Sequence, residues 1–114
     1  MAGGISIHAV DVVSGQPAVG LLVAIRRLAP DPQPIADGKL MVNGTFDHPV
    51  KDGQNTPPGL YEVTFSLGAY YRSRSMACPF LDEVPFRFTV SSADEHVHLP
   101  IKFSPWGYAL FRGA

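Results

Sequence analysis

Two histidines, His8 near the start of the chain and His98 near its end, are the side chains best suited to proton transfer. Each falls on the more polar face of a segment in which hydrophobic residues alternate, so we expect each on the open side of a β-strand. The unperturbed pKa of histidine lies close to neutrality, and two imidazoles held across a pocket can share the acid and base roles of a reaction. The pair predicts an acid–base site, and two unrelated solvated histidines are the alternative.

A metal site is the second interpretation of the histidines. His96 and His98 are expected on one strand face, roughly 7 Å apart by strand rise, and a third ligand such as His8 would complete the site. Because histidines on an exposed strand face are usually only solvated, we predict no metal.

Other segments offer weaker candidates for chemistry. Cys78 is a lone cysteine before a proline, which is more often a small apolar residue than a nucleophile. The aromatic and basic segment 70–74 is a candidate surface for an anion or a partner, but an exposed helix face is the simpler interpretation. Motifs of serine hydrolases, phosphate-binding loops and zinc proteases do not occur in the sequence.

The composition favours a single domain over residues 1–114. The 11 glycines and 11 prolines leave little room for long helices, so an all-β fold is expected. A net charge of -1 lacks the basic surplus of a nucleic-acid binder. No segment approaches the roughly 20 apolar residues of a membrane span, and no basic leader is visible. The single cysteine fits a reducing compartment, so we expect a cytoplasmic protein.

Short strands must position the histidines. Alternation predicts strands over 5–12, 60–67 and 84–90, and the continuous apolar run 21–28 predicts a strand buried on both faces. The C-terminal segment 96–111 is predicted to form a β-hairpin, with an alternating strand, a turn rich in proline and glycine, and a second strand.

Turn-forming residues separate these strands. One or two short edge strands are expected within 35–46, around the turn dipeptides Asp37-Gly38 and Asn43-Gly44. Proline excludes regular structure from 30–34, and one short helix is expected within 68–76. Seven or eight short strands therefore predict a two-sheet β-sandwich.

The sequence also resembles a known family. The residues that carry the resemblance are, in order, ISIHAVD at 5–11, SGQPA at 14–18, PGLY at 58–61, GAYY at 68–71, PF at 79–80, HVHLP at 96–100 and SPWGY at 104–108. In this combination and order they resemble the 5-hydroxyisourate hydrolase family, the transthyretin-like proteins, and the resemblance runs from Ile5 to Ala114.

The resemblance implies a transthyretin-like two-sheet β-sandwich of about eight strands with one short helix. It implies a homotetramer with a central channel whose mouths hold the active sites. It further implies a cofactor-free hydrolysis in purine degradation, in which water opens the ring of a small-molecule substrate, 5-hydroxyisourate. By position, His8 and His98 match the family's two catalytic histidines, and Arg112 matches the arginine of its C-terminal tail.

Three positions depart from the family's pattern. Thr45 stands where the family has an arginine, Phe111 replaces the tail tyrosine and Ala114 replaces the terminal serine. We expect these three residues and Arg112 to bind the substrate in a less charged pocket, because threonine cannot imitate a bidentate guanidinium. Two further residues, Lys39 and His48, are the candidates to replace the missing cation.

Two functional hypotheses follow from the residues and the resemblance. The first is an enzyme that hydrolyses 5-hydroxyisourate, or a diverged relative that acts on a different small ring or lactam. The second is a non-catalytic binding protein that holds a hydrophobic ligand on the same scaffold. The presence of both His8 and His98 favours the enzyme, because a carrier has no need of two imidazoles at these positions.

Overall fold

The computed structural model describes residues 3–54 and 56–114, and the chain folds there into two stacked β-sheets. The strands are β1 (Ile5–Asp11), β2 (Gln16–Pro17), β3 (Leu22–Ala29), β4 (Gln33–Lys39), β5 (Gly59–Ser66), β6 (Glu83–Val90), β7 (Val97–Ser104) and β8 (Gly107–Leu110). One short helix, α1 (Leu67–Arg72), follows β5, and a single 3₁₀ turn spans Pro49–Asp52. The predicted two-sheet sandwich of about eight strands with one short helix is confirmed.

The strand order brings the two ends of the sequence together. The first sheet has the order β2-β1-β7-β8, and the second has the order β4-β3-β5-β6. β1 runs parallel to β7, whereas every other described strand pair is antiparallel. The parallel pair places the N-terminal histidine strand directly beside the C-terminal one.

The inner faces of the two sheets form the hydrophobic core. In β1, Ile5, Ile7 and Ala9 are buried, and the residues between them are half-buried on the outer face. β7 alternates in the same way, with Leu99 and Ile101 buried. The predicted alternation in both strands is therefore confirmed, and the histidines lie on the outer face of the first sheet.

The segment 70–74 is divided between core and surface, because Tyr70 and Tyr71 pack into the core while residues 72–74 are exposed. Tyr71 is fully buried and donates its hydroxyl to a carboxylate oxygen of Asp11 over 2.6 Å, while Tyr70 donates to the other oxygen over 3.3 Å. Burial and the bond to Asp11 raise the pKa of Tyr71, so the phenol stays a donor. The Arg74 guanidinium covers the ring of Tyr70 at 3.8 Å from its centroid.

Three local predictions are wrong. The segment 21–28 is not buried on both faces, because β3 alternates between exposed and buried residues. The predicted loop 30–34 ends early, and Pro34 lies inside β4, where an edge strand tolerates the missing N–H. Asp37-Gly38 also lies within β4 and makes no turn.

No helix in the described ranges is long and apolar enough to span a bilayer, and α1 has only 6 residues.

Candidate active site

His8 and His98 lie on the same outer face of neighbouring strands. Ser6 is opposite His98 in the β1/β7 register, and His8 is opposite Pro100. Strand spacing and rise then put the Cα atoms of the two histidines about 8 Å apart on the diagonal. Each side chain is half-buried. The structure thus places the predicted acid–base pair on one face, at a Cα separation that a small molecule can span.

Thr45 lies beside His8, with which it forms an isolated antiparallel bridge. The turn that carries it depends on Gly44, which has φ +79° and accepts the N–H of Ala9 on its carbonyl at 3.0 Å. A Cβ at position 44 would approach the Ala9 carbonyl oxygen to 2.7 Å, so the close approach also requires glycine. Thr45 donates its hydroxyl to Asn43 over 2.6 Å. The Asn43-Gly44 turn was predicted, and it puts Thr45 next to the histidine.

Lys39 and His48 lie away from this strand pair. Lys39 ends β4 in the second sheet, opposite Leu22. His48 accepts the Val50 N–H on Nδ1 at 3.0 Å and stacks on Phe46 with 5.4 Å between ring centroids. Both residues are therefore held by structural contacts outside the β1/β7 pair, and the position beside His8 belongs to Thr45.

The C-terminal tail crosses the His98 strand. Gly113 donates its N–H to the His98 carbonyl over 2.7 Å. A Cβ on Gly113 would come within 2.8 Å of His98 Cδ2 and 3.1 Å of Pro100 Cδ, so glycine lets the tail lie directly against the imidazole. The neighbouring Phe111 and Ala114 are exposed, and Phe111 retains 54% of its accessible surface.

Arg112 anchors this tail. Its guanidinium makes an ion pair with Glu95 at 2.8 Å and donates to the His96 carbonyl over 3.3 Å. Glu95 also accepts the Ser91 N–H over 2.8 Å, and this hydrogen bond, followed by the Arg112 charge, lowers the pKa of the Glu95 carboxyl. The predicted binding role of Arg112 remains a prediction, and the contacts observed are those of a structural clamp.

Ser6 and His96 form a chain of polar contacts with His98. The sequence did not lead us to predict the contact that Ser6 makes. The Ser6 hydroxyl lies 2.7 Å from His98 Nδ1 and 2.9 Å from His96 Nε2, and His96 Nδ1 lies 2.8 Å from the Gly3 carbonyl oxygen. Alternation in β1 puts Ser6 on the face of His8, which was a usable signal. Its contact with His98, however, depends on the β1/β7 register.

The surroundings of His98 favour its neutral form. Burial lowers the pKa of His98 below its ordinary value, and the imidazoles of His8 and His96 lower it further because each can carry a like charge. A neutral imidazole near pH 7 can accept a proton from water. In the described part of the chain, no side chain makes a hydrogen bond with the His8 ring, which leaves this ring available to a substrate.

The arrangement fits acid–base chemistry on a small molecule. Across 3–54 and 56–114, no group of three or more histidine, cysteine, aspartate or glutamate residues is placed to hold a metal ion. A surface cavity of about 480 Å³ lies over the second sheet, lined by residues of β3 and β4 with His48. Asp37 and His48 are its titratable lining residues, and His48 Nδ1 is already occupied by the Val50 N–H. His8 and His98 are not among the lining residues of that cavity.

Comparisons with known proteins show the family of the chain. The sequence profile of the HIUase/Transthyretin family matches residues 5–113. The chain is 35% identical to the 5-hydroxyisourate hydrolase of Pseudomonas aeruginosa, over 98% of this chain and 92% of that protein. It matches a crystal structure of (S)-allantoin synthase with a TM-score of 0.89 and 30% identity, over 98% of this chain and 44% of that one. Sea bream transthyretin in complex with thyroxine matches with a TM-score of 0.85 and 23% identity, over 96% of this chain and 94% of that one, which is a likeness of fold.

Proposed function

The chain belongs to the HIUase/Transthyretin family, and on that premise we propose that it is a hydrolase of purine degradation that opens the ring of 5-hydroxyisourate with water. The observation that carries the proposal is the adjacency of His8 and His98 on one sheet face, beneath a tail held by Gly113. This adjacency occurs in a chain that is similar to a 5-hydroxyisourate hydrolase over nearly its whole length.

The proposed mechanism uses side chains of the chain and one water. His98, held neutral, takes a proton from the water as the water oxygen attacks a ring carbonyl carbon. The carbon–nitrogen bond of that cyclic amide then breaks, and His8 donates a proton to the departing nitrogen. The product is the opened acid, and solvent restores the proton to His8 and removes the one on His98.

The substitutions around the pair support a second candidate within the enzyme class. Thr45 presents a neutral hydroxyl beside His8, and the guanidinium of Arg112 is already paired with Glu95. A substrate carrying little negative charge suits such a pocket better than an anion, because a threonine gives no charge-assisted bond. The second candidate is therefore hydrolysis of a different, more neutral small ring. A binding protein without chemistry is the remaining alternative, and the placement of both imidazoles on one face argues against it.

A homotetramer is part of the proposal. The histidine face is the open surface of a sheet, so a second copy of the chain would be needed to enclose a substrate there. Large apolar side chains of the β7–β8 turn and of the tail are exposed in the single chain, among them Trp106 at 65% and Phe111 at 54%. A cytoplasmic location is also proposed, and the free thiol of Cys78 supports it.

The test is a direct assay with freshly generated 5-hydroxyisourate, whose spontaneous decay supplies the baseline. Decay accelerated in proportion to protein concentration supports the standard substrate. No acceleration with this compound, together with turnover of an uncharged cyclic amide, would support the second candidate. Inactivity toward both, with tight binding of an aromatic ligand, would favour the binding protein.

A further inference from the structure

Ser6, His96 and the Gly3 carbonyl form a hydrogen-bonded chain with His98. The chemistry of these groups determines which atom donates in each hydrogen bond. The Gly3 carbonyl can only accept, so His96 Nδ1 must carry the proton of their 2.8 Å contact. In neutral His96 the Nε2 atom is then a bare acceptor, and Ser6 donates its hydroxyl proton to it over 2.9 Å. The Ser6 oxygen is left to accept from His98 Nδ1 over 2.7 Å.

This direction fixes the tautomer of His98. With its proton on Nδ1, the ring carries an unprotonated Nε2, which is the nitrogen available to a water. Gly113 packs against the ring at Cδ2 and leaves no room there for a methyl group. A half-turn of the ring about its Cβ–Cγ bond would replace Nδ1 by a carbon at Ser6 and lose the 2.7 Å bond.

We propose that Ser6 and His96 are positioning residues that hold His98 in the tautomer with a bare Nε2, ready to act as the base. This inference rests on the proposed function, because His98 acts as a base only if the chain is a hydrolase. Neither residue touches the substrate in this account, because both act through the ring of His98.

Nitrogen-15 NMR of labelled protein tests the tautomer without any reference to activity. We expect His98 in the wild-type chain to be protonated on Nδ1 at neutral pH, and Ser6→Ala to give a mixture of tautomers. Ser6→Thr, which keeps a hydroxyl, should restore the wild-type spectrum. Ser66→Ala is the matched control, because the Ser66 side chain makes no capping hydrogen bond at α1. A wild-type His98 protonated on Nε2, or a tautomer unchanged in Ser6→Ala, would overturn the proposal.

Kinetics then connect the tautomer to the reaction. Ser6→Ala is expected to lower kcat about tenfold with little change in KM, because His98 then carries a bare Nε2 for only part of the time. His96→Ala removes the acceptor of the Ser6 hydroxyl, so it should also give a mixture of His98 tautomers and a lower kcat, and it serves if Ser6→Ala fails to fold. If the tautomer behaves as expected but the wild-type chain does not hydrolyse 5-hydroxyisourate, the proposed function fails and the positioning role stands. A kcat unaltered in both variants would contradict the role.

Discussion

Gly113 donates its N–H to the carbonyl of His98 over 2.7 Å, so the last residues of the chain are tied to one of the two histidines. The contact makes the histidine strand and the tail one unit, because the ring of His98 packs against the Gly113 backbone without an intervening side chain. Changes in the tail should therefore act through the position of the imidazole.

Gly113→Ala is the first test of this unit. The added Cβ would stand 2.8 Å from His98 Cδ2, so either the ring or the tail must move, and activity should fall at least about tenfold. The exposed tail contributes little to the core, so the midpoint of urea unfolding should change only slightly. Gly107→Ala is the matched control, because a Cβ there meets nothing within 4 Å. Equal activities of the two variants would disprove the steric argument.

The pH profile should report the shifted titration of His98. Because burial and its neighbouring imidazoles lower the pKa of His98, the ring stays neutral to a lower pH than an ordinary histidine. The base is present above that pKa and lost as pH falls through it. We expect kcat/KM to decrease at low pH with an apparent pKa below that of an unperturbed histidine. NMR titration of His98 should give the same midpoint. An apparent pKa at or above the ordinary histidine value would show that another group controls the reaction.

Thr45→Arg tests the position beside His8 where the family's pattern has an arginine. An arginine there would supply a permanently charged, bidentate donor, and we expect kcat/KM for 5-hydroxyisourate to rise about tenfold, as a charge-assisted bond allows. The control is Thr64→Arg on β5, which adds the same charge to the second sheet. No gain from Thr45→Arg, or an equal gain from both variants, would indicate a pocket built for a different substrate.

Asp11 should be a main determinant of stability. Its buried carboxylate accepts the hydroxyls of Tyr71 at 2.6 Å, Tyr70 at 3.3 Å and Ser14 at 3.0 Å. Asp11→Ala leaves the buried phenol of Tyr71 with only its 3.3 Å contact to the Phe103 carbonyl oxygen, and it should lower the free energy of unfolding by about 3 kcal/mol in urea titrations. Asp11→Asn keeps an acceptor and should cost clearly less. A loss of the same size in both variants would mean that the charge, and not the hydrogen bonding, matters.

The sequence predicted the faces of the histidine strands because burial imposes a period of two on a half-buried strand. It correctly placed His8, His98 and Thr45 near one another through the family's pattern. It predicted an edge strand within 35–46 but not the bounds of β4, because Pro34 and Asp37-Gly38 are typical of turns when read locally. The place of β4 at a sheet edge makes them acceptable.

Contacts that depend on register could not be predicted from local patterns. The bond between Ser6 and His98 joins residues 92 positions apart, and it exists because β1 and β7 are parallel with Ser6 opposite His98. The pairing of Arg112 with Glu95 likewise follows from where the tail crosses the sheet. A one-residue shift in either pairing would turn these side chains elsewhere.

The most direct test of the account is the rate of 5-hydroxyisourate decay with the wild-type chain, His8→Gln and His98→Gln at equal concentration. The account predicts strong acceleration by the wild-type protein and a loss of at least about a hundredfold in each variant. Light scattering should show the same assembly for all three proteins, so that the loss reflects chemistry and not folding. Wild-type decay no faster than the spontaneous rate, or undiminished turnover in both variants, would contradict the account.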